Sequence, residues 1–405
     1  MQTKKQFGPL AGLRVLEMGS LIAGPFTTRL MAEFGADVVK IEPPSRAAGQ
    51  GGDPLRKWRK LHNGTSLWWY VQARNKRSIT LDLKHEKGRE IVLELVKHTD
   101  IFVENFRPGT LEKLGLDYPT LQAVNPGLIL VRISGFGQDG PYKDRPGFGA
   151  IGESMGGLRY VTGYPDRPPV RVGVSIGDSI TALHAVMGAL MALRHRDKTG
   201  EGQIVDVALY ESVFNMMESL VPEYGMNGFV RERSGSALPG IVPSNTYLCG
   251  DGQSVVIGGN SDPIYRRLMA AIGRSDLAED SRLQSNDGRV AHTDLIDGAI
   301  GEWCATKTRD QVLTVLGAVD VPVSEIYSVA DMFNDAQFKA RGMIERHQLQ
   351  DGQEIAIPAV TPKLSKTPGA TQWLGPVLGE HTAEVLSELG FTLEQLDELT
   401  HKKVI

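Results

Sequence analysis

The sequence predicts an α/β protein: a doubly wound parallel sheet followed by a second, smaller α+β domain. Three observations lead there. Residues 12–42 read as strand, turn, helix and strand, a unit that implies a parallel pair joined by a right-handed crossover. The same alternation recurs as far as residue 224, and past it the character changes. The length of 405 residues also exceeds what one ordinary core organises.

Taken in order, Arg14–Glu17 is a short apolar strand, Ala23-Gly24-Pro25 a turn, and Phe26–Phe34 has helical spacing. Gly35 stands where a C-cap glycine belongs, and Asp37–Ile41 is the next strand. Ser78–Leu83, Asp100–Val103, Leu128–Ile133 and Gln203–Ala208 are further strands. Glu86–Lys97 is a helix, and Ile180–Leu193 reads as a buried core helix, shorter than the roughly 20 residues a membrane span needs. The large domain is expected over 1–224, a Gly/Pro/Ser linker over 225–245, and the small domain over 246–340. Residues 341–405 return with helices at Thr382–Leu389 and Leu393–Thr400 to pack on the large domain.

Composition narrows the function. A net charge of −4 gives no reason to expect a nucleic-acid partner, so an anionic ligand would need a local basic cluster. Cys249 and Cys304, the two cysteines, make neither a disulfide framework nor a thiolate metal site, and fit a reducing, cytoplasmic setting. The start, Met1 to Gln6, leads into no long apolar run, which argues against a signal peptide. The nine histidines show no metal-ligand spacing, so no metal is expected. The first strand–helix turn, Gly19-Ser-Leu-Ile-Ala-Gly24-Pro25, lacks the G-x-G-x-x-G dinucleotide fingerprint.

Three features are candidates for chemistry. Arg56-Lys-Trp-Arg-Lys60, Trp68-Trp-Tyr70 and Arg74-Asn-Lys-Arg77 combine cations with three of the five tryptophans. That suits an anionic ligand with a flat heterocycle, or equally a charged surface over core aromatics. Asp178, in Gly173-Val-Ser-Ile-Gly-Asp178, stands where the apolar helix begins. It reads as a plain N-cap, or as a carboxylate kept ionised by the helix dipole and able to attack a thioester carbonyl. The glycine turns Asn105–Gly109, Ser134–Gly137 and Pro146–Gly149 follow strands, where open α/β sheets bind ligands.

Together these segments resemble the class III CoA-transferase family, which includes formyl-CoA transferase, carnitine CoA-transferase, succinyl-CoA:dicarboxylate transferases and α-methylacyl-CoA racemase. The matching stretches are G-L-R-V-L-E at 12–17, A-G-P at 23–25, G-A-D-V-V-K-I-E at 35–42 and N-K-R-S-I-T-L-D-L-K at 75–84. V-E-N-F-R-P-G at 103–109, S-G-F-G-Q-D-G-P at 134–141, K-T-G-E-G-Q at 198–203 and L-G-E-H-T at 378–382 extend them along nearly the whole chain. The resemblance implies a Rossmann-like large domain, a small domain and a homodimer interlocked like chain links. It implies Asp178 as the nucleophile, and CoA contacts at Ile22, Ala23, Leu81, Asp82, Leu83, Lys84, Asn105, Phe106, Lys113, Pro146, Gly147, Phe148 and Gly149. On that reading, Gly135, Phe136, Gly258 and Gly259 offer N–H groups to a developing oxyanion. The activity implied is transfer of CoA from an acyl-CoA such as succinyl-CoA or acetyl-CoA to a small carboxylate, with CoA as substrate and no tightly bound cofactor.

The chain also departs from the family. Ile22 replaces the glutamine and Pro43 the arginine of formyl-CoA transferases, and Ile257-Gly-Gly-Asn260 is the nearest segment to their glycine run. Gly149 stands where many members carry an acidic residue, and Glu153, one turn on, is the candidate to replace it. Phe148 occupies the position of the racemase histidine and cannot exchange a proton. An acyl-CoA isomerase or racemase, and a non-catalytic CoA-ester binding protein, are the alternatives.

Overall fold

The computed structural model describes residues 7–45 and 51–405, so the reading of the first six residues lies outside the described ones. The chain divides into two compact units, one of residues 1–158, 172–218 and 340–405, the other of 159–171 and 219–339.

The first unit is built on a six-stranded sheet. Its strands are β1 (Arg14–Met18), β2 (Asp37–Glu42), β5 (Lys76–Thr80), β6 (Ile101–Glu104), β7 (Ile129–Ser134) and β8 (Ile204–Ala208). A two-residue hairpin, β3 (Leu61–His62) and β4 (Thr65–Ser66), interrupts the count. The order is β5-β2-β1-β6-β7-β8, and every pairing is parallel. Alternate residues of each strand serve two cores. Val15, Val38, Ile101, Val103, Ile129 and Val131 meet the helices Ala23–Glu33 and Ile176–Thr199 on one face. Leu16, Val39, Ile79, Phe102 and Leu130 meet the helices Glu86–Val96, Thr382–Glu388 and Leu393–His401 on the other. Burial on both faces is why these strands carry continuous apolar runs.

The chain runs from β1 outward through β2 to β5, then crosses to β6 on the other side of β1 and continues outward. The β1–β6 boundary is therefore the topological switch point, where open sheets bind ligands beyond the carboxyl ends of the strands. Edge strand β5 is covered by the returning chain: the Asn75 N–H donates to Trp373 O, the His381 N–H to Ser78 O and the Trp373 indole to Lys76 O. Gly35, at φ +100, closes the helix Ala23–Glu33, and a β-carbon there would collide with the Phe7 carbonyl.

Two readings of the sequence need correction. The apolar helix runs from Ile176 to Thr199, longer than Ile180–Leu193, and it is not buried all round. In its most apolar window, mean hydropathy 1.5, only 39% of residues are buried. Ala185, Ala189 and Ala192 pack on the sheet, while Leu183, Met187, Leu190 and Met191 stay exposed. The basic cluster, second, is split: Lys57, Arg59 and Lys60 are exposed, and the other four cations are internal. Arg56 is bound to Glu42 and stacked over Trp69, Arg74 meets Glu33, Lys76 meets Glu17, and Arg77 meets Asp37 and Glu388. Arg56, Arg74 and Lys76 neutralise buried carboxylates and Arg77 pairs with the partly exposed Asp37 and Glu388, so none of these four is held out for a ligand.

The second unit has a three-stranded antiparallel sheet in the order β11-β10-β9: β9 (Ser244–Leu248), β10 (Ser254–Gly258) and β11 (Val323–Glu325). Val255, Ile257, Leu268, Ile296, Ile300, Val312 and Leu316 form its core with the helices Asp262–Ala271, Thr293–Ala305 and Arg309–Gly317. The segment 159–171 belongs to this unit, and nothing in its composition announced that. A hairpin, β12 (Ile344–Gln348) with β13 (Glu354–Pro358), stands in the part of the chain that returns to the first unit.

Candidate active site

The helix Ile176–Thr199 begins beside the carboxyl end of β7, and Ser175 is its N-cap residue. Asp178 is therefore the third residue of the helix, three positions past the N-cap residue, in the acidic first turn. It is half-buried, and a carboxylate in that turn is favoured by the helix dipole. Asp178 does not hold the N-cap position itself; Ser175 does, and the Ser175 side chain makes no cap hydrogen bond.

Gly149, the first residue of the helix Gly149–Met155, packs directly on this carboxylate: a β-carbon there would lie inside contact distance of Asp178 Oδ2. Glu153, one turn on, is buried, and its Oε1 accepts from the Gly177 N–H at 3.4 Å. A β-carbon on Gly177 would stand 2.9 Å from Gly149 O and 3.0 Å from Glu153 Cγ. Two further glycines bring the turns after β7 together, since a β-carbon on Gly135 would lie 2.8 Å from the Gly147 Cα. So Gly135, Gly147, Gly149, Gly177, Glu153 and Asp178 form one backbone-to-backbone cluster. Phe148 is exposed beside it, and the Phe136 ring sits 6.0 Å from that of Tyr142 and 6.2 Å from that of Tyr210.

Ile22, Ala23, Asn105 and Phe106 stand at the switch point. Ile22 precedes the helix Ala23–Glu33, and both Ile22 and Ala23 are buried. The Asn105 amide bridges to Ser20: Oδ1 accepts from the Ser20 N–H at 2.8 Å and Nδ2 donates to Ser20 O at 2.9 Å. The Phe106 N–H donates to Glu104 Oε2 at 2.7 Å. Burial pushes the Glu104 carboxyl up to about 7, against the Arg132 guanidinium 2.8 Å away and the Phe106 N–H. Leu81–Lys84 follow β5, with the Leu81 N–H donating to Glu42 O and the Asp82 N–H to Val404 O. Lys84 and Lys113 are exposed. The parallel order places all these segments on one edge of the sheet.

Gly258 and Gly259 belong to the second unit, and the donor role expected for them fails. Their N–H groups donate to Pro322 O at 3.0 Å and Pro243 O at 2.9 Å.

Sequence reasoning missed a buried charge cluster under the first turn. Glu17 Oε1 accepts from Lys40 Nζ at 2.6 Å, and Oε2 from Lys76 Nζ at 2.8 Å and Thr28 Oγ1 at 2.5 Å. Lys40 also meets Asp53 at 2.9 Å. Burial alone would raise the Glu17 carboxyl, but Lys40 and Lys76 outweigh it and hold it down at about 2. Burial lowers Lys76 to about 8 despite Glu17, whereas the anions around Lys40 overcome burial and raise it. The signal was present: Glu17, Lys40 and Lys76 interrupt three strands that both faces bury. Among the described residues, no three His, Cys, Asp or Glu side chains converge to hold a metal ion.

A doubly wound sheet with a carboxylate in the first turn of a helix at its carboxyl edge is the architecture of a ligand-binding α/β enzyme. Residues 10–382 match the sequence model of CoA-transferase family III, and the chain belongs to that family. It is 47% identical over 407 residues to succinyl-CoA–D-citramalate CoA-transferase of Chloroflexus aurantiacus, covering all of both chains. It is 44% identical to the succinyl-CoA–L-malate CoA-transferase beta subunit of the same organism, over 98% of each. A crystal structure of a CaiB/BaiF family protein from Brucella suis superposes with a TM-score of 0.82 at 36% identity, over 95% of this chain and all of that one. The chain is a CoA-transferase, and CoA thioesters are its substrates.

Proposed function

We propose that this enzyme moves CoA from succinyl-CoA to a small dicarboxylic acid, with Asp178 as the covalent nucleophile. The relatives named for succinyl-CoA with citramalate and with malate support the substrate class. The packing of Gly149 against the Asp178 carboxylate carries the assignment of the nucleophile, because it places an acidic side chain where no bulk intrudes.

The reaction is a chain of acyl substitutions in which no proton is gained or lost. An Asp178 oxygen attacks the thioester carbonyl, the C–S bond breaks, and CoA leaves as thiolate from a mixed aspartyl–succinyl anhydride. The thiolate attacks the Asp178 acyl carbon, releasing succinate and forming an aspartyl-CoA thioester. The acceptor carboxylate displaces the thiolate to form a second anhydride. The thiolate then attacks the acceptor's acyl carbon and frees the Asp178 carboxylate. The dipole of the helix Ile176–Thr199 stabilises the Asp178 carboxylate as an anion, which favours its release as leaving group in the last step. The contacts proposed for CoA are the segments after β1, β5 and β6 and the turn Pro146–Gly149.

Phe148 speaks against racemase chemistry, having no proton to exchange. A homodimer belongs to the same proposal: the exposed row Leu183, Met187, Leu190 and Met191 is an apolar face that a second copy would cover. A solution mass of one chain would overturn that part.

Asp178→Ala should lower turnover at least about 10³-fold while CoA still binds. Mass spectrometry of enzyme incubated with succinyl-CoA should place an acyl or CoA adduct on Asp178. Undiminished exchange in the variant would refute the mechanism.

A further inference from the structure

The turn after β1 is held with unusual completeness. Lys40 Nζ donates to Gly19 O at 2.7 Å. Asn105 meets both the N–H and the carbonyl of Ser20. Asp53 accepts from the Leu21 N–H at 3.0 and 3.2 Å. Gln72 Nε2 donates to Ile22 O at 3.1 Å, and Lys76 Nζ to Pro25 O at 2.6 Å. Four of these five side chains are almost wholly buried. They come from β2, β5, the carboxyl end of β6, the segment before β3 and the helix Leu67–Gln72. An ordinary strand–helix turn leaves such groups to water.

The turn is also strained. Leu21 has φ +65, a left-handed conformation that a leucine adopts at a cost of order 1 kcal/mol. It persists because Asp53, itself tied to Lys40 and to the Leu55 N–H, fixes the Leu21 amide. Strain held by buried charge, at the switch point of the sheet, marks a shape kept for a ligand rather than for the fold.

We infer that Gln72, Lys40, Asp53 and Lys76 are positioning residues that set the backbone of residues 19–25 as a rigid template for the CoA moiety. None of them needs to touch the ligand. Each fixes one backbone group, so that Ile22 and Ala23 meet CoA without ordering cost at binding. This rests on the reading that residues 22 and 23 contact CoA.

Gln72→Met is nearly isosteric and removes one hydrogen bond, the one to Ile22 O. The Michaelis constant for succinyl-CoA should rise about 5- to 10-fold with kcat changed less than about twofold, the pattern of lost uniform binding. Lys76→Met frees Pro25 O at the other end of the turn and should shift KM the same way, but it also leaves buried Glu17 one cation short and costs stability, so Gln72→Leu, which removes the same Ile22 O bond, stands in if Gln72→Met folds poorly. Asn125→Ala is the control: its amide holds Val96 O and Thr99 O away from the turn, so stability falls and KM stays. An unchanged KM in the Gln72 and Lys76 variants, or an equal rise in the control, overturns the inference. Hydrogen exchange of wild-type residues 19–25, with and without coenzyme A, tests the underlying reading separately. Protection there with unchanged KM in the variants refutes only the positioning role, whereas no protection refutes the contact itself.

Discussion

The two ends of the candidate site are shaped by opposite means. At the β1 end, long side chains do the work: Lys40, Lys76, Asp53, Gln72 and Asn105 reach in and take hold of the backbone. At the Asp178 end, missing side chains do it: Gly135, Gly147, Gly149 and Gly177 let segments approach until their backbones touch. A turn built the first way fails when a side chain is cut back, and a cluster built the second way fails when one is added. The difference follows from what each must hold. On the proposed mechanism one presents backbone to CoA and needs only a fixed shape, while the other presents Asp178 as nucleophile and needs room around it.

The sharpest test of this contrast is Gly149→Ala. The new methyl group would occupy the space of the Asp178 carboxylate, which must turn away. A nucleophile displaced by about 1 Å loses on the order of 10²-fold in rate, so kcat should fall by that much, and KM for the acyl-CoA should rise as well because Gly149 lies in the turn proposed to contact CoA. Overpacking should also cost about 1–3 kcal/mol of stability. Steady-state kinetics and denaturant unfolding read both. Full turnover in this variant would mean that Asp178 is not confined.

At the other end the matching test is Glu17→Gln. It leaves Lys40 and Lys76 buried with one anion fewer between them, which should destabilise the protein by about 3 kcal/mol. The pH dependence gives the sign. The Glu17 carboxyl lies near 2 in the folded protein against an ordinary 4.5, so the folded state binds fewer protons there than the unfolded one. Its contribution, about 3 kcal/mol, is present above pH 4.5 and lost as pH falls towards 2. Unfolding midpoints between pH 5 and 2 should therefore fall less steeply in the variant than in the wild type. Parallel slopes would mean that Glu17 does not carry the acid sensitivity.

Legibility in the sequence followed the range of the interactions. Strand positions were readable because burial on both faces leaves continuous apolar runs, and β1, β2 and the helix between them fall within a few residues of expectation. Asp178 was readable as a helix-start carboxylate, and its resemblance to the family pointed to a nucleophile. That the helix starts at Ile176, two residues before Asp178, was not readable, because an apolar pattern does not fix where a helix begins. Nor was the fate of Arg56, Arg74, Lys76 and Arg77, whose partners Glu42, Glu33, Glu17 and Asp37 lie 14 to 59 residues away. Local composition sees a basic cluster, and only the sheet order reveals that each cation has its carboxylate waiting. The exposed apolar row of the helix Ile176–Thr199 was hidden likewise, since an apolar composition does not say which face the sheet takes.

The smallest effect tests whether glycine matters at the Asp178 cluster through proximity alone. Gly298 lies within the helix Thr293–Ala305, and a β-carbon there would meet nothing within 4 Å. No close approach requires this glycine, and its φ is not in the left-handed region. Gly298→Ala should therefore stabilise the second unit by about 0.5–1 kcal/mol, through a less free unfolded chain and better helix propensity. The denaturant midpoint should rise while kcat and KM stay at wild-type values. A loss of activity from this change would show that glycine serves the enzyme by something other than closeness. The contrast with Gly149, where the same added methyl group meets a carboxylate, would then no longer rest on space.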